Sequence, residues 1–144
     1  MVWHDPLSHL DWELKTTRNV NDEYPLKGAV HYTDELNRMC FGGFDDWRLP
    51  TLDEMCSLAL LPLFHYEGDY RQWKAWYESH EAFQKEGYFI KEPLQTAIGQ
   101  HGWYWTQTPK DTKEYYLVNF KEGNTNFHVP TQEFYVRCVR GGCQ

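Results

Sequence analysis

The chain has 144 residues, which favours one domain over residues 1–144 rather than two. Hydrophobic residues make up 41% of it and aromatic residues 17%, so it can bury an apolar core and is not a disordered chain. The net charge of −7 disfavours nucleic acid and anionic membranes as partners. No apolar run is long enough to span a membrane, and the first residues do not resemble a signal peptide. We expect a cytoplasmic protein or one already trimmed of its leader.

The first predicted elements are a strand and a helix. Apolar and polar residues alternate over residues 10–15, which predicts a strand with one buried face. Apolar residues at near-helical spacing over residues 29–40 predict a first helix. The glycine pair at 42–43 would end this helix.

Two further helices are predicted in the middle of the chain. The second helix begins at Thr51, whose hydroxyl can accept a hydrogen bond from the amide of Glu54 while the Glu54 carboxylate accepts one from the amide of Thr51. An apolar stripe follows, and Pro62 marks the end of this helix. Aromatic residues at helical spacing predict a third helix over residues 68–85.

The last third of the chain is predicted to form an antiparallel sheet. Lys121 to Asn124 have the character of a hairpin turn, in which Gly123 can adopt a positive φ. Because most strands follow the helices, the pattern favours an α+β fold. The predicted strands cover residues 103–106, 115–120, 126–129 and 134–139.

Four blocks of sequence carry a family resemblance. They are Gly-Gly-Phe-Asp-Asp-Trp-Arg-Leu-Pro-Thr at 42–51, Leu-Asp-Trp-Glu at 10–13, Tyr-Trp-Thr at 104–106 and Val-Arg-Cys-Val-Arg-Gly at 136–141. With these blocks the chain resembles the Lcl C-terminal domain family of bacterial proteins, long catalogued as a domain of unknown function. The resemblance implies a C-type lectin-like fold, with two short helices and an inserted helix packed on an antiparallel sheet. Residues 65–90 depart from the family pattern and are interpreted as a helical insertion rich in Trp and Tyr.

The residues of the central motif are interpreted as structural. The planar fork of Arg48 suits a carboxylate or backbone carbonyls, and Asp46 can point to the same side of an extended segment. We therefore predict a structural clamp, with presentation of these groups to a ligand as the alternative. We expect Trp12, Trp47 and Trp105 to lie in the core. The predicted structural residues are Asp46, Trp47, Arg48, Pro50, Thr51 and Glu54.

The candidate binding surface is aromatic. Aromatic faces stack on sugar rings and anchor protein interfaces, so we predict a non-catalytic recognition domain that binds a glycan or a protein. The negative charge disfavours sulfated glycans. The alternative is that these aromatic side chains pack against one another. The candidate ligand-binding residues are Trp103, Tyr104, Trp105, Thr106, Trp73 and Trp76, with Tyr70 and Tyr77 beside them.

The sequence shows no established metal-site spacing, so we predict no metal and no cofactor. A transition-metal site at His4, Asp5 and His9 is a weak alternative. Calcium-dependent sugar binding is not supported, because Glu92-Pro93 is followed by Leu94 where many C-type lectins have asparagine. Three oxygen-bearing residues, Glu122, Asn124 and Asn126, fit no calcium loop pattern that we recognise.

Two further functions stay open. The motif is also similar to formylglycine-generating sulfatase-modifying proteins, so an enzyme with a reactive Cys138 or Cys143 is one alternative. Free thiols and disulfides are equally consistent with the four cysteines, which form no CxxC pair. The other alternative is an accessory subunit whose insertion docks a partner chain. The oligomeric state is left open.

Overall fold

The structure, a computed structural model, describes residues 2–15, 19–59, 63–79, 90–91, 94 and 102–141. Over these residues it has three α-helices and nine strands in two sheets, so the predicted α+β class is confirmed. None of the described helices is long and apolar enough to cross a membrane. In chain order the elements are β1 (Val2–His4), β2 (Leu10–Glu13), β3 (Glu23–Tyr24), α1 (Leu26–Arg38), α2 (Leu52–Cys56), β4 (Phe64–His65), α3 (Tyr70–Glu78), β5 (Trp103–Pro109), β6 (Tyr115–Asn119), β7 (Asn124–His128), β8 (Phe134–Tyr135) and β9 (Val139–Gly141).

The two sheets differ in size and strand direction. The small sheet is antiparallel and has the order β1-β2-β9. The large sheet has the order β3-β8-β5-β6-β7-β4, with β5, β6 and β7 as an antiparallel meander at its centre. The antiparallel sheet predicted for the last third of the chain is confirmed in this meander, while β4 pairs with β7 and β8 pairs with β5 in parallel. Both parallel pairs join strands that are not consecutive in the chain, as the crossover connection between parallel strands requires.

The predicted last strand, 134–139, is divided between the two sheets. Its first two residues belong to β8 in the large sheet, and Val139 begins β9 in the small sheet. Between them Cys138 exchanges hydrogen bonds with Glu13: the amide of Glu13 donates to the Cys138 carbonyl at 3.0 Å, and the Cys138 amide donates to Glu13 Oε1 at 3.1 Å. The segment therefore ties the two sheets together.

The predicted helices form with different bounds. Helix α1 begins after Pro25 and ends at Arg38, and Cys40 adopts a left-handed conformation (φ 51°) two residues before the glycine pair. The capping box of Thr51 and Glu54 at α2 is confirmed. Helix α2 is shorter than predicted, because Ala59 already pairs with Ile90 in a β-bridge. Helix α3 lies inside the predicted 68–85, of which residues 80–85 are outside the described part of the chain.

The large sheet carries a core on each face, because successive strand residues point to opposite sides. On one face Tyr104 and Val118 pack with Met55 of α2. On the other face Trp105 and Leu117 pack with α1. The predicted core tryptophans are confirmed, with Trp12 and Trp105 at 0% exposure and Trp47 at 3%. The turn before β7 is also as predicted, since Gly123 has a φ of 70°.

Candidate functional site

The central motif forms the predicted clamp, with Glu54 as the partner of Arg48. The Arg48 guanidinium donates to both Glu54 carboxylate oxygens, at 2.6 and 2.7 Å, and to the Gly141 carbonyl at 3.2 Å. Burial alone would raise the pKa of Glu54, but hydrogen bonds from Arg48 and Thr51 outweigh it and hold that pKa below its usual value. The clamp therefore joins α2 to the last strand.

Asp46 binds a different arginine. The Arg140 guanidinium donates to the two Asp46 carboxylate oxygens at 2.6 and 3.2 Å, and it also pairs with Asp11. It lies 3.8 Å from the centre of the Phe44 ring. The hydrogen bond from Arg140 lowers the pKa of Asp46. Arg48 and Asp46 are thus both paired within the chain, which supports the structural interpretation of these two residues over presentation to a ligand.

Three of the predicted ligand-binding residues lie in the core. The exposed fractions of Tyr104, Trp105 and Thr106 are 1%, 0% and 0%, so the prediction that they contact a ligand is wrong for this conformation. The Trp105 indole donates to the Tyr24 carbonyl at 2.7 Å, and the Thr106 hydroxyl donates to the Tyr116 carbonyl at 2.8 Å. The reason is that β5 is a central strand with a core on both faces. Trp103, at the beginning of β5, is only half-buried.

Helix α3 also divides its aromatic side chains between two environments. Trp76 packs inward against Phe64, with ring centres 6.0 Å apart. Trp73 contacts Tyr70 on one side and stacks on Tyr77 on the other, with ring centres 5.4 and 5.1 Å apart. The Trp73 indole donates to the Glu122 carbonyl at 3.3 Å, which holds α3 against the turn before β7.

Trp73 and Trp103 meet in an open cleft of about 280 Å³. This cleft, hereafter the aromatic cleft, brings together aromatic residues from two separate candidate groups in the sequence, β5 and the insertion. It also contains polar side chains from β7 and the turn before it. The lining residues are Tyr66, Tyr70, Trp73, Trp103, Glu122, Asn124 and Asn126.

The strand register places the cleft's polar residues beside Trp103. Trp103 pairs with Asn119 of β6, and Asn119 pairs with Asn124 of β7, so the three lie side by side across the sheet. Asn126 follows on the same face. Asn124 is 4% exposed, and its Oδ1 has no hydrogen-bond partner.

The carboxylate of Glu122 is half-buried and has no hydrogen-bond or ion-pair partner among the described residues. Burial raises the pKa of Glu122, because the charged form loses water without gaining a partner. The sequence interpretation considered Glu122, Asn124 and Asn126 only as calcium ligands. The alternation of β7 was the signal that could have placed the two asparagines on one face.

A second cleft, of about 420 Å³, lies on the opposite face of β7. It shares Tyr66 with the aromatic cleft. Two of its polar side chains contact the chain itself: Lys110 Nζ lies 3.7 Å from the centre of the Phe127 ring, and His65 Nδ1 lies 3.1 Å from Thr125 Oγ1. These contacts already occupy Lys110 and His65, so we consider the aromatic cleft, although it is smaller, the better candidate for binding a ligand.

Two of the described cysteines, Cys56 and Cys138, do not have the environment of a nucleophile. Cys40, Cys56 and Cys138 are free thiols, and Cys143 lies outside the described residues. Burial raises the pKa of Cys56 to about 11, with a smaller contribution from the charge of Asp53. Burial and then the charge of Glu13 raise the pKa of Cys138 well above its usual value. A reactive cysteine needs the opposite shift.

The predicted weak metal site is not assembled. Asp5 accepts a hydrogen bond from Lys91 at 2.7 Å, whereas His4 lies 2.6 Å from Asp11. Within the described ranges there is no group of three or more His, Cys, Asp or Glu side chains that could hold a metal ion. Glu92 and Pro93 lie outside these ranges.

Comparison with known proteins identifies a family. No curated protein matches the chain. The model of the Lcl C-terminal domain matches residues 1–140, almost the whole sequence. The chain therefore belongs to the Lcl C-terminal domain family.

Proposed function

We propose that the domain is a non-catalytic recognition module that binds a glycan through the aromatic cleft. The observation that carries this proposal is the combination of ring faces with unpartnered polar groups in one open cleft. Trp73 and Trp103 offer apolar faces, and Asn124 and Glu122 offer groups that no described residue occupies. Sugars have the matching character, since their apolar ring faces stack on aromatic side chains and their hydroxyls form hydrogen bonds.

The electrostatics of the cleft favour some glycans over others. Glu122 is the charged side chain among the lining residues, and the chain has a net charge of −7. Both repel sulfate and phosphate groups. The glycan in this proposal is therefore one without such groups.

The proposal includes the C-type lectin-like scaffold that the sequence motif implies, in which loops on a rigid core carry the binding groups. The two parts of the structure fit this division. The clamp of Arg48 and Glu54 has its charges satisfied, while the cleft lies where α3 meets the turn before β7. The high pKa values of Cys56 and Cys138 favour a binding role over an enzyme of the formylglycine-generating type.

A glycan array tests the proposal. The full chain is screened with calcium and again with chelator, and each hit is repeated with Trp73→Ala. Lys74→Ala, a change on the same helix outside the lining residues, is the control. We expect a reproducible hit that Trp73→Ala removes and Lys74→Ala keeps, with or without calcium.

Two results contradict the proposal. One is an array without a reproducible hit, and the other is a hit that Trp73→Ala leaves unchanged. Trp105→Ala is unsuited to this test, because loss of a fully buried tryptophan destabilises the domain, so a loss of binding would not report on contact with the ligand.

A further inference from the structure

The aromatic cleft contains hydrogen-bond acceptors that have no donor. The Glu122 carboxylate has no hydrogen-bond or ion-pair partner among the described residues, and Asn124 Oδ1 is also unpartnered. Neither Lys nor Arg occurs among the described lining residues, so none of these supplies a positive charge to the carboxylate. Leaving such groups buried without partners costs free energy, which a bound ligand with suitable donors would recover.

The aromatic rings of the cleft also favour a positively charged ligand. The face of an aromatic ring is electronegative, and a cation within about 6 Å of the centre of the face is attracted to it. Trp73, Tyr70 and Trp103 surround the same space as the Glu122 carboxylate. A positively charged group with N–H donors satisfies both the rings and the carboxylate.

Asn124 can contribute to the same group. A half-turn of its amide about the last side-chain bond exchanges the oxygen and the nitrogen, so either atom can face the cleft. The oxygen has no partner to lose when this happens. An ammonium group has three donors and no acceptor, which matches a carboxylate and an amide oxygen from two residues that line the same cleft.

We propose that the glycan bound in the aromatic cleft carries a free amino group, so that the ligand is an amino sugar in its ammonium form. This inference rests on the proposed glycan binding. The ammonium donates to Glu122 and Asn124 while the sugar ring lies against Trp73 or Trp103. The Asn126 side-chain oxygen already accepts from the Phe127 amide, which leaves the Asn126 amide nitrogen and the tyrosine hydroxyls of the cleft for the sugar hydroxyls. A lysine side chain has no hydroxyls that would use them.

A pair of matched oligosaccharides tests the inference without any mutation. A glucosamine tetramer and an N-acetylglucosamine tetramer have the same backbone and differ in the charge and acetylation of the amino groups. Calorimetric titration of the full chain should show tighter binding of the glucosamine tetramer by about tenfold or more, the usual size of a charge-assisted hydrogen bond.

Two isosteric variants locate the effect. Glu122→Gln removes the carboxylate in the cleft, and Glu133→Gln removes an exposed carboxylate in the turn before β8. We expect Glu122→Gln to weaken binding of the glucosamine tetramer about tenfold and Glu133→Gln to leave it unchanged. Equal losses in the two variants would assign the binding to net charge and overturn the inference.

The outcomes separate this inference from the proposed function. Equal or tighter binding of the acetylated tetramer overturns the amino-sugar inference and leaves glycan binding in place. If neither tetramer binds but another glycan binds on the array, the amino-sugar inference is overturned and glycan binding is again left in place. Binding of a lysine-rich peptide with no binding of the glucosamine tetramer overturns the inference in favour of a protein ligand. An array without any hit overturns the proposed function itself.

Discussion

Two half-buried glutamates of this domain, Glu54 and Glu122, have pKa values shifted in opposite directions. Burial raises the pKa of both Glu54 and Glu122. Glu54 then receives hydrogen bonds from Arg48 and Thr51, and its pKa falls below the usual value. The Glu122 carboxylate receives no hydrogen bond from the described residues, and its pKa stays above the usual value. The Glu54 carboxylate therefore stabilises the fold through its hydrogen bonds, whereas the Glu122 carboxylate is half-buried without a partner among the described residues.

The same division applies to the aromatic residues. Trp105 is fully buried, with its indole hydrogen-bonded to the Tyr24 carbonyl. Trp73 is half-buried and lines an open cleft. Glu54 and Trp105 are thus hydrogen-bonded within the chain. The aromatic cleft instead contains a half-buried carboxylate without a described partner and a tryptophan that is partly exposed. We therefore expect substitution of Glu54 or Trp105 to affect mainly stability, and substitution of Glu122 or Trp73 to affect mainly binding.

The largest expected effect is on stability, from truncation of the core tryptophan. Trp105→Ala should lower the free energy of unfolding by about 3–5 kcal/mol, because it leaves a cavity and an unpaired Tyr24 carbonyl. Trp73→Ala should cost clearly less, since part of this side chain is already exposed to water. Urea unfolding of the two variants measures both values. Equal losses would mean that Trp73 is a core residue like Trp105 and would contradict its assignment to the cleft.

The next effect is that of charge removal at the two glutamates. Glu54→Gln should lower the free energy of unfolding by about 1 kcal/mol, since it weakens the paired hydrogen bonds with Arg48 but keeps a side chain that can complete the capping box. Glu122→Gln should leave stability unchanged or raise it, because it removes a charge that lacks a partner. Thermal unfolding at pH 7 measures both. A loss of stability in Glu122→Gln would show that the carboxylate has a structural role.

The smallest effect is in the pH dependence, where the two glutamates have opposite signs. The folded-state pKa of Glu54 is lowered, so its stabilising contribution is present above the unfolded value of about 4.3 and is lost as the pH falls through the folded pKa. The folded-state pKa of Glu122 is raised, so stability is lost as the pH rises from about 4.3 through the folded pKa.

Melting temperatures of the wild type and both variants between about pH 2 and pH 7 measure these contributions. Glu54→Gln should reduce the loss of stability on the acid side, and Glu122→Gln should reduce the loss above the unfolded pKa. If Glu122→Gln instead reduced the acid loss, its carboxylate would have a partner in the folded state.

Local signals in the sequence predicted much of the fold. The Thr51 and Glu54 capping box is confirmed, because both of its hydrogen bonds lie within four residues. The positive φ of Gly123 and the burial of Trp12 are also as predicted. The division of the last strand was missed, since it depends on Cys138 meeting Glu13, more than a hundred residues away in the sequence.

The candidate site was predicted only in part for a similar reason. Trp73 and Trp103 were named as candidates, and both line the aromatic cleft. Trp105 was named with them, but whether a strand lies at the centre or the edge of a sheet is set by tertiary pairing rather than by its own residues. The role proposed for Glu122 could not be predicted from the sequence, because it depends on its carboxylate having no partner among the described residues of the folded chain.

The most direct test of the central claim uses the indole N–H signals of the seven tryptophans. A ¹⁵N-labelled full chain is titrated with the glucosamine tetramer and followed by NMR. We predict that the signals of Trp73 and Trp103 shift with increasing ligand, while those of Trp12, Trp47 and Trp105 do not. Unchanged signals from Trp73 and Trp103 at a ligand concentration that saturates binding would place the ligand elsewhere and contradict the assignment of the aromatic cleft.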